Sequence, residues 1–149
     1  MILSNKTEKE LLVIGLGKIE NANDICSFFQ QFSEVSFCNW QDKEVIENLI
    51  ISDNSTILIA RYENSIVGML CGGVLGSRAT VNHIAVKQEF RNSNIARKLL
   101  IKFEKYSLSK KTKRVFCFVH ENNQSGMKFW QSQGFIKTRN EVTLEKDLF

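Results

Sequence analysis

The sequence predicts a single α/β domain over residues 1–149, and three observations predict it. Short apolar runs with strand character alternate with segments whose apolar residues recur at helical spacing. The stretch from position 81 to 110 reads as strand, polar turn and long amphipathic helix, in that order. At 149 residues, 43% of them hydrophobic, the chain is long and apolar enough to bury a sizeable core, which excludes a disordered chain.

Taken in order, residues 11–16 form the first strand. Asn23 or Asp24 caps a helix running to Phe32, with Ile25, Phe28, Phe29 and Phe32 on one face. Phe37, Cys38, Asn39 and Trp40 make an aromatic turn, and Asp42 caps a second helix carrying Val45, Ile46, Leu49 and Ile50. Residues 57–62 and 66–70 are strands joined by Glu63, Asn64 and Ser65 in a hairpin. Gly68, Gly72, Gly73 and Gly76 mark a hairpin or a bulge, because no helix start and no Lys-Ser/Thr pair follows them. Residues 78–86 pair next. The long helix buries a stripe of Ile95, Leu99, Phe103 and Tyr106, with Ala96 and Leu100 beside it. Residues 115–119 are a strand, residues 125–133 a short helix stopped at Gly134, and residues 136–144 the last strand. The chain has no proline, so its turns rely on Gly, Asn and Ser.

Several classes are excluded. Val13-Ile14-Gly15-Leu16-Gly17 opens like a dinucleotide fingerprint, but the third glycine falls on Glu20, whose carboxylate would face a pyrophosphate. Cys26, Cys38, Cys71 and Cys117 lie far apart with no C-x-x-C pair, so reduced thiols, a cytoplasmic protein and no metal are expected. Cys71 and Cys117 lie in apolar strands and read as small core residues. The opening MILSNKTEKE lacks the form of a signal peptide, and no apolar run approaches the ~20 residues of a membrane helix, so no membrane partner is expected.

The turn at positions 87–94 carries the chemistry. It sits where the long helix begins, and a helix start offers unpaired backbone N–H groups and a positive dipole end, which suit a phosphate. Arg91, Arg97 and Lys98 surround it. Between positions 87 and 114 there are ten basic residues and two acidic ones, a net +8 within a chain of net +4, so the remainder is negative. This asymmetry points to a polyanionic ligand on one side. For Lys102, Lys105 and the run from Lys110 to Lys113, a solvated helix face is the simpler reading. No aromatic stacking platform is interleaved among the basic residues, which argues against nucleic acid.

At these residues the chain resembles a known family. Arg91-Asn92-Ser93-Asn94-Ile95-Ala96 resembles the acetyl-CoA pyrophosphate loop of the GNAT superfamily of N-acetyltransferases, Arg/Gln-x-x-Gly-x-Gly/Ala. Arg91 and Ala96 match, and Asn94 replaces the glycine; asparagine tolerates left-handed backbone better than other non-glycine residues. Further on, Asn123-x-x-Gly126-x-x-Phe129-Trp130-x-x-x-Gly134-Phe135 is similar to the signature Asn-x-x-Ala-x-x-Phe-Tyr-x-x-x-Gly-Phe, with Gly126 for alanine and Trp130 for tyrosine. The two motifs stand in the family's order, and the resemblance spans residue 55 to the C-terminus.

The resemblance implies a mixed, mostly antiparallel twisted sheet with flanking helices, and acetyl transfer from acetyl-CoA to a primary amine of a small molecule or protein. It implies that the strand containing Ile84, Ala85 and Val86 splays from the strand at 115–119, so that pantetheine enters the gap and pairs with the backbone of those three residues. A backbone N–H near Ile84 polarises the thioester oxygen. Arg91, Asn92, Ser93, Asn94, Ile95, Ala96 and Arg97 hold the pyrophosphate, and Asn123 contacts the pantetheine arm or the adjacent strand. Trp130 takes the place of the tyrosine that often protonates the leaving thiolate. Indole N–H is a donor but no acid in water, and a thiol of pKa near ~8.5 leaves without one.

The base is a histidine, His83 or His120, or a water relay. His83 comes first because it lies beside the expected thioester, and the bland alternative for either is a strand-face residue hydrogen-bonded locally. Glu34, Asp42, Glu44 and Glu47 either attract a cationic acceptor or form a solvated face. Three readings stand. The first is an active N-acetyltransferase, monomeric or homodimeric. The second is an acetyl-CoA-binding module with little transfer, suggested by Asn94 and Trp130. The third is a basic nucleic-acid-binding domain, suggested by the +8 segment alone.

Overall fold

A computed structural model of the chain describes residues 11–35 and 41–148. The expected aromatic turn of Phe37, Cys38, Asn39 and Trp40 lies outside them. Five strands follow the chain in order across one sheet: β1 (Leu12–Leu16), β2 (Ser55–Tyr62), β3 (Ser65–Leu75), β4 (Arg78–Val86) and β5 (Arg114–Cys117). The first three pairings are antiparallel and the last is parallel. The sheet is mixed and mostly antiparallel, as expected.

Four helices flank it: α1 (Ala22–Gln30), α2 (Lys43–Ile51), α3 (Ile95–Ser109) and α4 (Gln124–Ser132). The alternation along β2 explains the layering. Ile57 and Ile59 point into a core with Ile25, Phe28 and Phe29 of α1 and Ile46 of α2. Leu58 and Ala60 point the other way, into a core with Leu99, Leu100 and Phe103 of α3 and Trp130 of α4. Both faces of the sheet are therefore covered, which is why β2 reads as an almost unbroken apolar run.

Local signals account for most boundaries. Asp42 caps α2 by accepting a hydrogen bond from the Val45 N–H at 3.0 Å. Glu63 and Asn64 form the tight turn between β2 and β3, both at positive φ, as a two-residue hairpin requires. Gly76 at φ +59° turns β3 into β4. Gly72 sits at a register shift between β3 and β4, and a Cβ there would lie 2.6 Å from the Phe103 ring, so this glycine also lets α3 approach the sheet. Gly17 follows β1 as a backbone partner of Ile57, at 2.8 Å.

Three expectations are corrected. The first helix begins at Ala22, ahead of Asn23 and Asp24, because a 3-10 turn at Ile19–Asn21 precedes it and the Asn21 side chain accepts from the Lys18 N–H at 2.9 Å. It also ends at Gln30 rather than Phe32. The strand expected over 115–119 spans Arg114–Cys117, because β4 stops pairing with it beyond Cys117. The last strand expected over 136–144 does not form: among the described residues none from 136 to 148 is in a strand. Ile136, Val142 and Leu144 are 82%, 86% and 89% exposed. Apolar alternation makes a strand only where a partner edge and a covered face receive it, and here neither does. No helix among the described residues is long and apolar enough to cross a membrane.

Candidate active site

The site grows out of the end of β4. This strand pairs with β5 only from Arg78 opposite Arg114 to Val81 opposite Cys117. Beyond that point the two strands part, and the outer edge of residues 82–86 faces a cleft of about 390 Å³. Just there the β3–β4 register passes from Cys71 opposite His83 to Gly72 opposite Val81, leaving Asn82 as an extra residue in β4. The bulge reverses which face the odd-numbered residues point to. Ala79 and Val81 belong to the core under α3, whereas Ala85 packs in the core under α1 and α2. His83 goes with Ala85, its ring centroid 5.4 Å from that of Phe29. Ile84 and Val86 face α3.

After β4 the chain makes a 3-10 turn at Gln88–Phe90, and α3 begins at Ile95. Asn92 and Asn94 both adopt left-handed backbone, at φ 60° and 64°. Asn94 thus takes up the conformation that usually favours glycine. The Arg91 Nε donates to the Val86 carbonyl at 3.0 Å and the Ser93 hydroxyl to the Phe90 carbonyl, which fixes the loop from within. The Asn94 side chain makes no capping bond, unlike Asp42 of α2 and Asn123 of α4, and the first turn of α3 has no acidic residue. The N–H groups of that turn are left for another acceptor.

Helix α4 forms the opposite wall. Asn123 caps it, its Oδ1 accepting from the Gly126 N–H at 2.9 Å. A Cβ at Gly126 would lie 2.5 Å from the Asn123 side-chain nitrogen, so the capping amide occupies the space that an alanine would need. The helix ends in a Schellman motif: Gly134, at φ +89°, donates to the Gln131 carbonyl, and Phe135 donates to that of Trp130, both at 3.1 Å. The motif folds the Phe135 ring onto Trp130, with centroids 4.8 Å apart, while Phe129 stands 5.2 Å away on the other side. Trp130 is buried and held as a wall of the cleft.

The cleft brings together His83, Ile84, Ala85, Val86, Arg91, Asn92, Asn94, Ile95, Ala96, Arg97, Asn123 and Trp130. Ser93 is not among the lining residues. Burial pushes the His83 imidazole down to about 4, so it is neutral at pH 7. Burial likewise raises the Cys117 thiol to about 11 and Cys71 to about 12, which makes both inert as nucleophiles. His120 does not line the cleft itself but an adjoining polar hollow that shares Glu34, Asn123 and Ser125 with it.

Sequence reasoning missed Asn82, and it named Glu34 only as an attractor of the acceptor or a solvated residue, not as a partner of Arg91. Asn82 carried no signal because a bulge is defined by the partner strand. Glu34 reaches the site from 57 positions away, its carboxylate 2.7 Å from the Arg91 Nη2. Burial raises the Glu34 carboxyl, but hydrogen bonds from its own backbone and from Arg91, together with the Arg91 charge, outweigh this and hold it below the ordinary range.

Residues 23–135 match the acetyltransferase (GNAT) family. The acetyltransferase ECA0875 of Pectobacterium atrosepticum is 28% identical over 110 residues, 73% of this chain and 77% of that protein. An aminoglycoside acetyltransferase from an uncultured soil metagenomic sample, solved with sisomicin, superposes with a TM-score of 0.74 at 19% identity, covering 95% of this chain and 99% of that one. The aminoglycoside N-acetyltransferase AAC(6')-Iy, in complex with the bisubstrate analogue CoA-S-monomethyl-acetylneamine, gives 0.76 at 14% identity, over 92% and 99%. The ribosomal-protein-alanine N-acetyltransferase of Brucella melitensis biovar Abortus 2308 gives 0.73 at 16%, over 91% and 99%. At these identities the solved structures share the fold.

Proposed function

The chain belongs to the acetyltransferase (GNAT) family, and from that premise we propose that it transfers the acetyl group of acetyl-CoA to a primary amine in the cytoplasm. One observation carries the reading: the outer edge of β4 opens at Val81 and leads to the uncapped first turn of α3. An extended arm pairs with such an edge as a strand does, and a pyrophosphate suits such a helix start. Acetyl-CoA supplies the acetyl thioester. The edge of Ile84, Ala85 and Val86 holds the pantetheine, and Arg91, Asn92, Asn94, Ile95, Ala96 and Arg97 receive the pyrophosphate, while Ser93 braces the loop through its bond to the Phe90 carbonyl. Asn123 flanks the arm from the cap of α4.

His83 is the proposed base. An imidazole with pKa near 4 is neutral at pH 7 but pulls weakly on an ammonium. The amine therefore enters as its free base, and His83 suits removal of the N–H proton that becomes far more acidic once that neutral nitrogen has bonded to the thioester carbon. Trp130 bounds the site on the side of the departing sulfur and supplies no proton. Aminoglycosides and a ribosomal-protein alanine are the acceptors named for the neighbouring structures, and all are amines, which supports an amine acceptor here.

The test is thiol release from acetyl-CoA across a panel of aminoglycosides, polyamines and peptide amines, with thermal shift by acetyl-CoA alongside. Acetyl-CoA-dependent stabilisation with release on at least one amine is expected. Stabilisation without release on any amine selects a second reading, a CoA-binding module with little transfer, which Trp130 in the tyrosine position favours. Absence of both overturns the assignment.

A further inference from the structure

We propose that Glu34, which lies outside both motifs, is a latch on the cofactor site: its carboxylate holds the Arg91 guanidinium until a phosphate of CoA displaces it. The inference rests on the reading of the cleft as the CoA site. Arg91 stands in the loop before α3 and is aimed by its Nε bond to the Val86 carbonyl at 3.0 Å. The remaining face of the guanidinium meets the Glu34 carboxylate at 2.7 Å. An anion arriving at the helix start therefore finds this cation already paired, with a carboxylate beside it.

The pair is built to be exchanged. The two side chains are 42% and 37% exposed, so the attraction between them is modest and a multiply charged phosphate competes well. Glu34 follows α1 and precedes the Asp42 cap of α2, and with Val35 it walls the cleft from that side. It also lines the polar hollow beside His120.

A double-mutant cycle read as CoA affinity tests this. Calorimetric Kd values are measured for the wild type, Glu34→Gln, Arg91→Ala and the double variant, with CoA and with pantetheine, which lacks the phosphates. Glu34→Gln is expected to bind CoA about two- to fivefold more tightly, the range of a half-exposed ion pair. The gain should vanish in the Arg91→Ala background and be absent for pantetheine. If Glu34→Gln leaves CoA affinity unchanged, the latch is wrong. If it tightens CoA equally without Arg91, Glu34 merely repels the phosphates, and the latch is again wrong. Wild-type CoA binding with either of these results leaves the cofactor site standing. Failure of every variant to bind CoA overturns the site and the latch together.

Discussion

Replacing Asn94 with alanine probes the loop on which cofactor binding depends. Asn94 sits at φ 64° and ψ 13°, squarely left-handed, and its side chain makes no capping bond that a substitution would remove. The change therefore isolates the backbone term. Left-handed backbone costs an L-residue roughly 1–2 kcal/mol, and asparagine is partly exempt, so Asn94→Ala should cost about 1 kcal/mol. That cost has two places to appear. If the loop keeps its shape, the folded state bears it, and Tm falls by roughly 2–4 °C for a domain of this size. If residue 94 leaves the left-handed region, CoA must restore it on binding, and Kd rises about fivefold. Scanning calorimetry and isothermal titration on the same samples capture both. Asn94→Gly should match the wild type in each, and Asn94→Val should fall below Asn94→Ala, because a branched Cβ fits this backbone worst. An alanine variant with unaltered Tm and unaltered CoA affinity would refute the claim that this backbone shape matters.

Further outcomes follow from other residues. The His83 imidazole has a folded-state pKa of about 4 against 6.5, so between these values the unfolded chain binds more protons. Stability is full above pH 6.5 and falls as pH drops towards 4, by up to about 3 kcal/mol from this residue. Urea unfolding of His83→Gln across that window should show a shallower fall, and an identical slope would dismiss the buried-imidazole account. Gly72→Ala places a Cβ 2.6 Å from the Phe103 ring and 2.7 Å from the Thr80 carbonyl, and should destabilise by roughly 1–3 kcal/mol in denaturant titration. A neutral result would mean that α3 does not press on β3 there. Trp130→Phe should keep turnover within about threefold, and Trp130→Tyr should equal or exceed the wild type, because thiolate departure needs no acid. A tenfold loss of kcat in Trp130→Phe with CoA affinity intact would give the indole N–H a part in the chemistry.

The sequence revealed whatever depends on near neighbours. The Asp42 cap, the hairpin turn and the buried stripe of the long helix each need only a few consecutive residues, and each is present, the turn closing at Asn64 with Ser65 already in β3. The positive φ of Asn94 was legible too, because the loop demands that conformation and asparagine can supply it. Features set by a distant partner were hidden. Asn82 is a bulge only relative to β3, and the bulge in turn decides that His83 faces α1. Glu34 meets Arg91 across 57 positions, and nothing around either residue announces the other. Residues 136–144 show the reverse error: their apolar alternation is real, but no neighbouring strand receives it.

The parting of β4 from β5 also gives the molecule an uneven resistance to opening. Amides of β2 and β3, bonded on both sides, should exchange their hydrogens slowly, on the scale of global unfolding. Next to them, alternate amides in residues 82–86 have a strand on one side alone and should take up deuterium fast, although Ala85 and Val86 are buried. Weakly protected backbone in β4 thus adjoins the strongly protected strand β3. A cofactor lying along that edge would be read directly as slowed exchange in one half of a single strand.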